Sequence, residues 1–511
     1  MPILGSIIKQ VISVRSKIPT RRSVYKQQIR QLRKLLLKAQ FTEFGKKYSF
    51  NELVLLDDPI KAFQKIVPIH DYQSIFDAWW YRALQGEKNI CWPGKIKYFA
   101  LSSGTSESSS KHIPVTRDMI KSIQKGTLKQ IISTTHFNFS KEQYETEILF
   151  VGGSTNLNYN GTYFSGDLSG ITTGTQPRWF QNFTLPGPEI RSVTNWENKL
   201  QEIVNKAKSW DVGFICGVPA WIQILFERII KHYNVKTIHD IWPNLAIFVH
   251  GGVAIHPYKA SIDALCSKPL IYLDTYMASE GFIAYQERPN EFQAMKLMTD
   301  NKLFFEFVPF TEENFDADGN VKPNATTLNI TEVELNKDYA LLITNCAGAW
   351  RYLIGDTVKF TDPQRCEIII TGRTKHFLSL CGEHLSVDNM NKAVKLAASE
   401  LNININEYCV AGIPYKGMFA HHWYVGVDKP VDEKILIEKI DTHLKELNDD
   451  YLTERQHALK ELLITVLPNQ TFIDFLASKN KLGGQSKFPR VLKGKHLNDW
   501  LAFLDKIKNN S

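Results

Sequence analysis

The chain lacks the features that mark secreted, membrane-spanning or metal-stapled proteins. Its seven cysteines are odd in number and include no C-x-x-C pair, which excludes a disulfide framework and a zinc ribbon as organising devices. No apolar run is long enough to cross a bilayer, and no signal-peptide pattern is present. We therefore expect a cytoplasmic protein without a transmembrane segment.

Acidic residues are missing from the first forty positions. Residues 1–40 hold ten Lys or Arg and no Asp or Glu, which leaves 51 basic against 53 acidic residues in the remainder. Apolar residues recur at helical spacing on both sides of Pro19, which predicts two basic amphipathic helices. We expect these helices to pack on their own domain, with an anionic membrane surface as the minor alternative. No nucleic-acid partner is expected, because the body of the protein is nearly neutral.

A Walker loop is also missing. The hydroxyl-rich segment LSSGTSESSSKHIPVT, residues 101–116, has the single glycine Gly104 and no Gly-Lys pair. Strand-like segments on both sides predict that it joins two strands instead of opening a helix. A solvated serine-rich loop is one interpretation. The other is a phosphate cradle made by backbone N–H groups together with Ser102, Ser103, Thr105, Ser106 and Lys111.

A recurring pattern of an apolar strand followed by a glycine-bearing turn organises the middle of the chain. It occurs at residues 147–153, 212–217, 245–252 and 271–281, with helical patterns between some of these strands. Such alternation is typical of a mostly parallel sheet with helices on both faces.

A change of pattern divides the chain near Lys375. Residues 296–345 show alternating strand patterns, and the helix and strand pattern starts afresh after Gly382. The expected fold class is α/β. We predict a large N-terminal domain, residues 1–375, with mostly parallel sheets flanked by helices plus an antiparallel β unit. A smaller C-terminal α+β domain, residues 376–511, should follow.

An ordered set of motifs resembles one known family. The set comprises residues 102–106 with Lys111, the segment YMASEG at 276–281, and Tyr352 through Gly355 and Asp356, with residues 39–45 and 67–72 upstream. In this order they resemble the GH3 acyl acid–amido synthetases, which belong to the adenylate-forming superfamily with acyl-CoA synthetases and luciferases. Each motif alone is weak, and the set spans nearly the whole chain.

The resemblance implies an ATP- and Mg²⁺-dependent reaction on two small molecules. A carboxylic acid attacks the α-phosphate of ATP, pyrophosphate leaves, and an amino acid's amine then attacks the acyl-adenylate. Charge stabilisation by cations and N–H donors suits this chemistry. The resemblance also implies that the small domain rotates between the two steps, with a hinge near Thr374 and Lys375.

The resemblance implies roles for individual residues. Glu280 is implied as the Mg²⁺ ligand and a catalytic residue, Asp356 as the acceptor for ribose hydroxyls, and Lys487 as a catalytic lysine that reaches the adenylate. The full set implied to bind ATP is Ser102, Ser103, Thr105, Lys111, Met277, Ala278, Ser279, Gly281, Phe282 and Asp356.

Structural roles compete with these assignments. Glu280 could cap a helix, Asp356 could be a turn residue, and Lys487 could be solvated beside its Gly-Gly turn. His421 and His422 on a predicted strand could contact the amine substrate, but two histidines without a third ligand or an acid nearby are predicted instead to form an exposed strand face.

Two positions depart from the family pattern. Ser108 stands where the loop usually carries glycine, and Leu353 stands where the third motif usually carries arginine. Arg351 would then have to replace that arginine. Both departures predict a slower or more specialised enzyme.

Two other functions are compatible with the motifs. The acyl group could pass to a thiol such as coenzyme A, or the protein could bind a nucleotide or acyl group without catalysis. Acid-dependent pyrophosphate exchange separates the enzymes from the binding protein, and the acceptor that consumes the adenylate separates the two enzymes.

Overall fold

We describe the fold from a computed structural model, which defines residues 23–102, 111–137, 139, 142–176, 178–181, 183–253, 255–290, 293–316, 319–375, 377–383, 385–427, 429–479 and 488–509. The first predicted basic helix, before Pro19, lies outside these residues. The described chain forms two compact units. The large unit contains residues 23–102 and 111–374, and the small unit contains the described residues from 375 onward.

The helices of the large unit cluster at its start and between the strands of its sheet. They are α1 (Val24–Ala39), α2 (Glu43–Lys47), α3 (Phe50–Leu53), α4 (Ile60–Ile66), α5 (Tyr72–Ile75), α6 (Tyr81–Leu84), α7 (Arg117–Ser133), α8 (Leu168–Gly174), α9 (Arg178–Gln181), α10 (Pro188–Arg191), α11 (Trp196–Lys206), α12 (Pro219–Tyr233) and α13 (His256–Ala264).

The strands of the large unit run in chain order from β1 to β15. They are β1 (Tyr98–Ser102), β2 (Lys111–Val115), β3 (Glu147–Phe150), β4 (Asn158–Tyr159), β5 (Phe164–Gly166), β6 (Thr184–Leu185), β7 (Val212–Gly217), β8 (Ile247–His250), β9 (Ile271–Ala278), β10 (Gly281–Tyr285), β11 (Met295–Leu297), β12 (Leu303–Pro309), β13 (Asp338–Asn345), β14 (Tyr352–Asp362) and β15 (Glu367–Arg373).

One large mixed sheet dominates this unit. Among the described residues its strand order is β12-β13-β14-β15-β11-β10-β9-β8-β7-β3-β6. Following this order, every pair of neighbours from β12 to β9 is antiparallel, and every pair from β9 to β6 is parallel. The predicted parallel sheet with an added antiparallel unit is therefore confirmed. Strands that are apolar along their length suit the parallel part of the sheet, because helices cover both faces of a parallel sheet.

A second, smaller sheet carries the hydroxyl-rich loop. Its order is β2-β1-β5-β4, and β1 pairs with β2 antiparallel. The predicted strand-to-strand connection is therefore confirmed, and Ser102 lies directly opposite Lys111 at its base.

Helix α1 is the second predicted basic helix. Ser23 accepts a hydrogen bond from the N–H of Lys26 at its start, and Leu32, Leu35 and Leu36 are buried. The side-chain amide of the buried Gln28 donates to the carbonyl of Thr299. This helix thus packs on its own unit, as predicted from its apolar stripe.

The small unit is an α+β arrangement, as predicted. Its elements are β16 (Phe377–Leu378), β17 (Leu385–Ser386), α14 (Val387–Glu400), β18 (Ile405–Tyr415), β19 (Met418–Val427), α15 (Glu433–Leu447), α16 (Asp449–His457), β20 (Leu459–Pro468), α17 (Asn469–Ser478), β21 (Val491–Leu492) and α18 (Gly494–Asn509). Its main sheet has the order β20-β19-β18-β21. In the described part of the chain, no helix of either unit is long and apolar enough to span a membrane.

A buried acid–histidine pair lies inside the small unit. His421 on β19 has its Nε2 atom 2.9 Å from Oε1 of Glu383, and both side chains are fully buried. The N–H groups of Leu380 and Cys381 also donate to the Glu383 carboxylate, each at 2.9 Å. The prediction of an exposed strand face is therefore wrong for His421, because a turn distant in sequence supplies the acid.

Candidate active site

Lys111 begins β2 at the base of the hydroxyl-rich loop. Its Nζ atom lies 5.2 Å from the centroid of the Tyr72 ring, and the Tyr72 hydroxyl accepts a hydrogen bond from the N–H of His112 at 2.9 Å. The register of β1 and β2 thus places a lysine where the predicted cradle begins. Ser103 and Thr105 lie outside the described residues, and only the backbone of Ser102 is described.

Glu280 occupies the tight turn between β9 and β10. It is only 7% exposed, and its carbonyl accepts a hydrogen bond from the side-chain amide of Asn345 at 2.8 Å. Burial raises the pKa of its carboxyl group to about 7; the charge of Asp356 adds to this rise, and the charges of Lys111 and Arg373 oppose it. The turn therefore holds a buried acid within electrostatic reach of a carboxylate and two cations.

Asp356 is fixed from two sides. Its Oδ2 atom accepts a hydrogen bond from the hydroxyl of Tyr276, and its Oδ1 atom lies 3.1 Å from Nε of Arg373. Arg373 lies directly opposite Asp356 in the pairing of β14 with β15. The carboxylate is therefore held in one orientation, and 17% of its side chain is exposed.

Arg373 is the member of this group that sequence reasoning missed. It stands in the segment TGRTK, for which the sequence predicts a hinge at Thr374 and Lys375 but no role for the arginine, and only the strand pairing brings it to Asp356. The signal was a basic residue at the end of a strand, too common to single out. Its side chain is one-third exposed, so a cation faces this site beside the acid.

The remaining residues of the second motif divide between surface and core. Met277 is 39% exposed, Ala278 and Ser279 are half-buried, and Gly281 has φ = +145°, which suits glycine. Phe282 is buried in the main core of the large unit, where a Cβ atom added at Gly126 would lie 2.7 Å from its ring. A ligand contact from residue 282 would therefore have to come from its backbone.

Arg351 does not replace the arginine that the third motif lacks. It is 4% exposed, and its Nε atom lies 3.1 Å from Oε1 of the buried Glu306. It also donates to the carbonyls of Gln64 and Val67 at 2.8 and 2.7 Å. The expectation that it could substitute is wrong, because a buried guanidinium with these partners is committed to the fold.

Leu353 is part of the hydrophobic core. Its side chain is 8% exposed and joins an apolar cluster with Val308, Ala340 and Leu342. Its N–H donates to the carbonyl of His70 at 2.7 Å, which ties β14 to the chain before α5. The third motif therefore keeps its acid, Asp356, while position 353 contributes to the core.

The other predicted residues give no metal cage. In the described ranges, no group of three or more His, Cys, Asp or Glu side chains is placed to hold a metal ion. Lys487 lies outside the described residues. The arrangement at hand is thus one buried acid, one oriented carboxylate and two cations.

The fold is similar to that of two solved ligases. The chain aligns with the GH3.15 acyl acid amido synthetase over 98% of this chain and 96% of that one, with a TM-score of 0.60 and 16% identity. It aligns with 2-hydroxyisobutyryl-CoA ligase over 97% and 94% of the two chains, with a TM-score of 0.57 and 12% identity. At such identities these likenesses establish the fold alone.

Sequence comparison gives the family. Sequence models of the GH3 family N-terminal, central and C-terminal domains match residues 20–186, 296–370 and 388–496. The chain belongs to the GH3 family.

Two curated relatives show how low the sequence identity to this chain is and how much of each chain is matched. An indole-3-acetic acid-amido synthetase, GH3.4 of Arabidopsis thaliana, is 27% identical over 322 residues, which are 58% of this chain and 50% of the relative. The jasmonoyl–L-amino acid synthetase JAR4 of Nicotiana attenuata is 22% identical over 367 residues, 58% of this chain and 60% of the relative. The matches thus span between one half and three fifths of these relatives' own length.

Proposed function

We propose that the protein is an ATP- and Mg²⁺-dependent ligase that adenylates a carboxylic acid and joins the acyl group to an amino acid. The observation that carries the proposal is the buried Glu280 beside Asp356, with Lys111 and Arg373 in electrostatic reach. Membership of a family with named amido synthetases supports the reaction class.

The first step creates a mixed anhydride. A carboxylate oxygen of the acid bonds to the α-phosphorus of ATP, the bond from that phosphorus to the bridging oxygen breaks, and pyrophosphate leaves with the electron pair. Negative charge collects on the departing group, so Lys111 and the N–H groups of the hydroxyl-rich loop act where that charge develops. Ser102, Ser103 and Thr105 belong to this cradle.

Asp356 anchors the nucleotide. A carboxylate that already accepts from Tyr276 and pairs with Arg373 keeps lone pairs for two ribose hydroxyls. The residues from Met277 to Phe282 form the wall beside the adenine and the α-phosphate, with backbone groups of Gly281 and Phe282 as the contacts. Fixing the nucleotide here keeps its α-phosphorus in reach of the acid.

Glu280 fits Mg²⁺. This ion usually takes one or two carboxylates together with substrate phosphates, so a single buried carboxylate is a suitable protein ligand. When bound, Mg²⁺ supplies positive charge to the phosphate oxygens. Burial of Glu280 excludes competing water from that side of the site.

The second step uses the small unit. The amine nitrogen attacks the acyl carbon, the bond from that carbon to the adenylate oxygen breaks, AMP leaves, and the nitrogen loses a proton. We assign Lys487 to the adenylate and the hinge to Thr374 and Lys375, where the two units divide. The seven free cysteines suit a reducing, cytoplasmic compartment, and the nearly balanced charge of residues 41–511 gives no ground for proposing a nucleic-acid partner.

Thioester formation is the second candidate. A ligase that makes a coenzyme A thioester shares the fold over nearly the whole chain, so the architecture accommodates either acceptor. The thiol would replace the amine in the second step, and adenylation would be unchanged.

The test is ATP–pyrophosphate exchange with the full chain and a panel of carboxylic acids. Exchange that requires both an acid and Mg²⁺, and that Glu280→Gln lowers about a hundredfold or more, is the expected result. Absence of exchange with every acid would favour a non-catalytic nucleotide or acyl binding protein. Adding an amino acid or coenzyme A to the active mixture then identifies the acceptor, and a thioester without an amide would contradict the proposal.

A further inference from the structure

A second cleft lies between α1, the start of α7 and the turn before β12. Its volume is about 450 Å³, within the roughly 300–1,000 Å³ of small-molecule sites. None of the candidate active-site residues Lys111, Tyr276, Glu280, Asp356 and Arg373 lines it. The cleft is therefore a separate feature of the large unit.

Lysines dominate its walls. Lys34 and Lys38 come from α1, Lys121 and Lys125 from α7, and Lys302 from the turn before β12. The acids that line it are Asp118 and Asp300. Five positive charges thus face two negative ones, from three segments that are distant in sequence.

The two acids are already paired. Lys302 lies 2.7 Å from Asp118, and Asp300 lies 4.0 Å from Lys125 and 2.5 Å from Lys129. Among the described residues, Lys34, Lys38 and Lys121 have no ion pair, and all three are exposed. The cleft therefore gathers three ammonium groups without an ion pair, of which Lys38 is near enough to act on the charge of Asp118.

These charges repel one another. Burial lowers the pKa of Lys125, and the neighbouring Lys34, Lys129 and Lys302 lower it further against the pull of Asp300. A bound anion would relieve this repulsion, since an opposite charge within a few ångströms favours the ammonium form.

The lysines are the groups that a ligand in this cleft would meet. Leu35 and Trp92 also line it but are only 2% and 4% exposed, and the buried Ser122 and Asn301 donate hydrogen bonds to each other's backbone carbonyls. Lysine ammonium groups bind phosphate as point charges. The concave shape suits a small molecule better than a flat membrane surface.

We infer that this cleft is a binding site for a small organic molecule that bears two or more phosphate groups, distinct from the candidate active site. The inference does not depend on the proposed ligase activity, because binding alone tests it.

The probe is fructose 1,6-bisphosphate, titrated calorimetrically into the full chain with an excess of a non-hydrolysable ATP analogue and Mg²⁺. Saturable binding at one site is expected, with affinity that falls as salt increases. The variant Lys34→Gln/Lys38→Gln/Lys121→Gln should weaken it about tenfold or more, because it removes the three ammonium groups that have no ion pair. The control Lys206→Gln/Lys208→Gln/Lys231→Gln loses the same net charge from α11, the turn after it and α12.

The outcomes separate the alternatives. Equal weakening by both triple variants would show a general charge effect and overturn the inference. Binding that the ATP analogue abolishes would place the probe in the active site and overturn it. Absence of binding to the probe, or binding only to vesicles containing phosphatidylinositol 4,5-bisphosphate, would also overturn it. Thermal unfolding of each variant establishes that lost binding is not lost folding.

Discussion

The proposed nucleotide chemistry depends on single side chains, and Glu280 is the most specific of them. Its burial raises its pKa to about 7, so the fold bears the cost of desolvating an acid at a turn. Such an acid is typical of a functional group, because a purely structural turn would favour a solvated residue. The same burial makes the neutral Glu280→Gln substitution mild for folding.

We expect Glu280→Gln to lower pyrophosphate exchange about a hundredfold or more, because it removes the proposed Mg²⁺ ligand and with it positive charge at the phosphates. Initial rates at saturating ATP and Mg²⁺ measure this loss. The exposed Glu202→Gln on α11 is the matched control and should keep the rate. Equal rates for the two variants would remove Glu280 from the mechanism.

Asp356 should act mainly on nucleotide binding. Asp356→Asn keeps the shape but loses the ion pair with Arg373 and one acceptor for ribose, so the KM for ATP should rise about tenfold. Asp338→Asn is the control, since Asp338 forms an ion pair with Lys359 between β13 and β14. A fall in kcat with an unchanged KM would contradict the ribose assignment.

At the scale of elements, α7 approaches β10 closely through a glycine. A Cβ atom at Gly126 would lie 2.7 Å from the Phe282 ring, so no larger residue fits without displacement. This contact seats the helix against the strand that follows Glu280. It also explains why Phe282, predicted as a nucleotide contact, has its side chain in the core.

Gly126→Val should destabilise the large unit by about 1–3 kcal/mol through overpacking. The double variant with Phe282→Ala should be more stable than the sum of the two single effects, because the smaller side chain makes room. Urea unfolding of the four proteins measures the coupling. Strict additivity would show that helix and strand do not meet at this point.

The pairing of β19 with the turn before β17 depends on Glu383 and His421. Burial alone would raise the pKa of Glu383, but the hydrogen bond and charge of His421, with backbone N–H donors, outweigh it and lower this pKa to about 2. Because the folded pKa lies below the ordinary value of 4.5, the stabilisation is present above pH 4.5 and is lost as the pH falls towards 2.

Glu383→Gln should therefore cost about 3 kcal/mol at pH 7, because it breaks a fully buried pair. The difference in unfolding free energy from the parent should shrink between pH 4.5 and 2. Denaturant unfolding across that range measures it. A constant difference would mean that Glu383 is neutral in the folded protein.

At the scale of the whole molecule, the predicted hinge coincides with the boundary between the two compact units. The compact units separate at Thr374 and Lys375, directly after Arg373 at the end of β15. Lys375→Pro should impair one half-reaction more than the other, because a rigid φ at a hinge favours one arrangement of the domains. Pyrophosphate exchange and amide formation report the two steps separately, and equal loss of both would argue against a hinge.

Local patterns of the sequence predicted the strands and much of the candidate site. The sequence predicted β7, β8 and β9 from their apolar runs, and it singled out the motif around Glu280. Each of these signals lies within a few residues. The ion pair of Arg373 with Asp356 could not be predicted from local sequence, because the pairing of β14 with β15 brings the two residues together. The structural role of Arg351 and the lysine cleft were hidden for the same reason, since their partners are distant in sequence.

The products of a complete reaction test the central claim most directly. The full chain, ATP, Mg²⁺, a carboxylic acid active in exchange and an amino acid should yield the N-acyl amino acid and AMP in equal amounts, measured together by mass spectrometry. The yield should vanish with Glu280→Gln and persist with Glu202→Gln. AMP formed with a coenzyme A thioester and no amide, or no AMP from any acid, would contradict an amide-forming ligase.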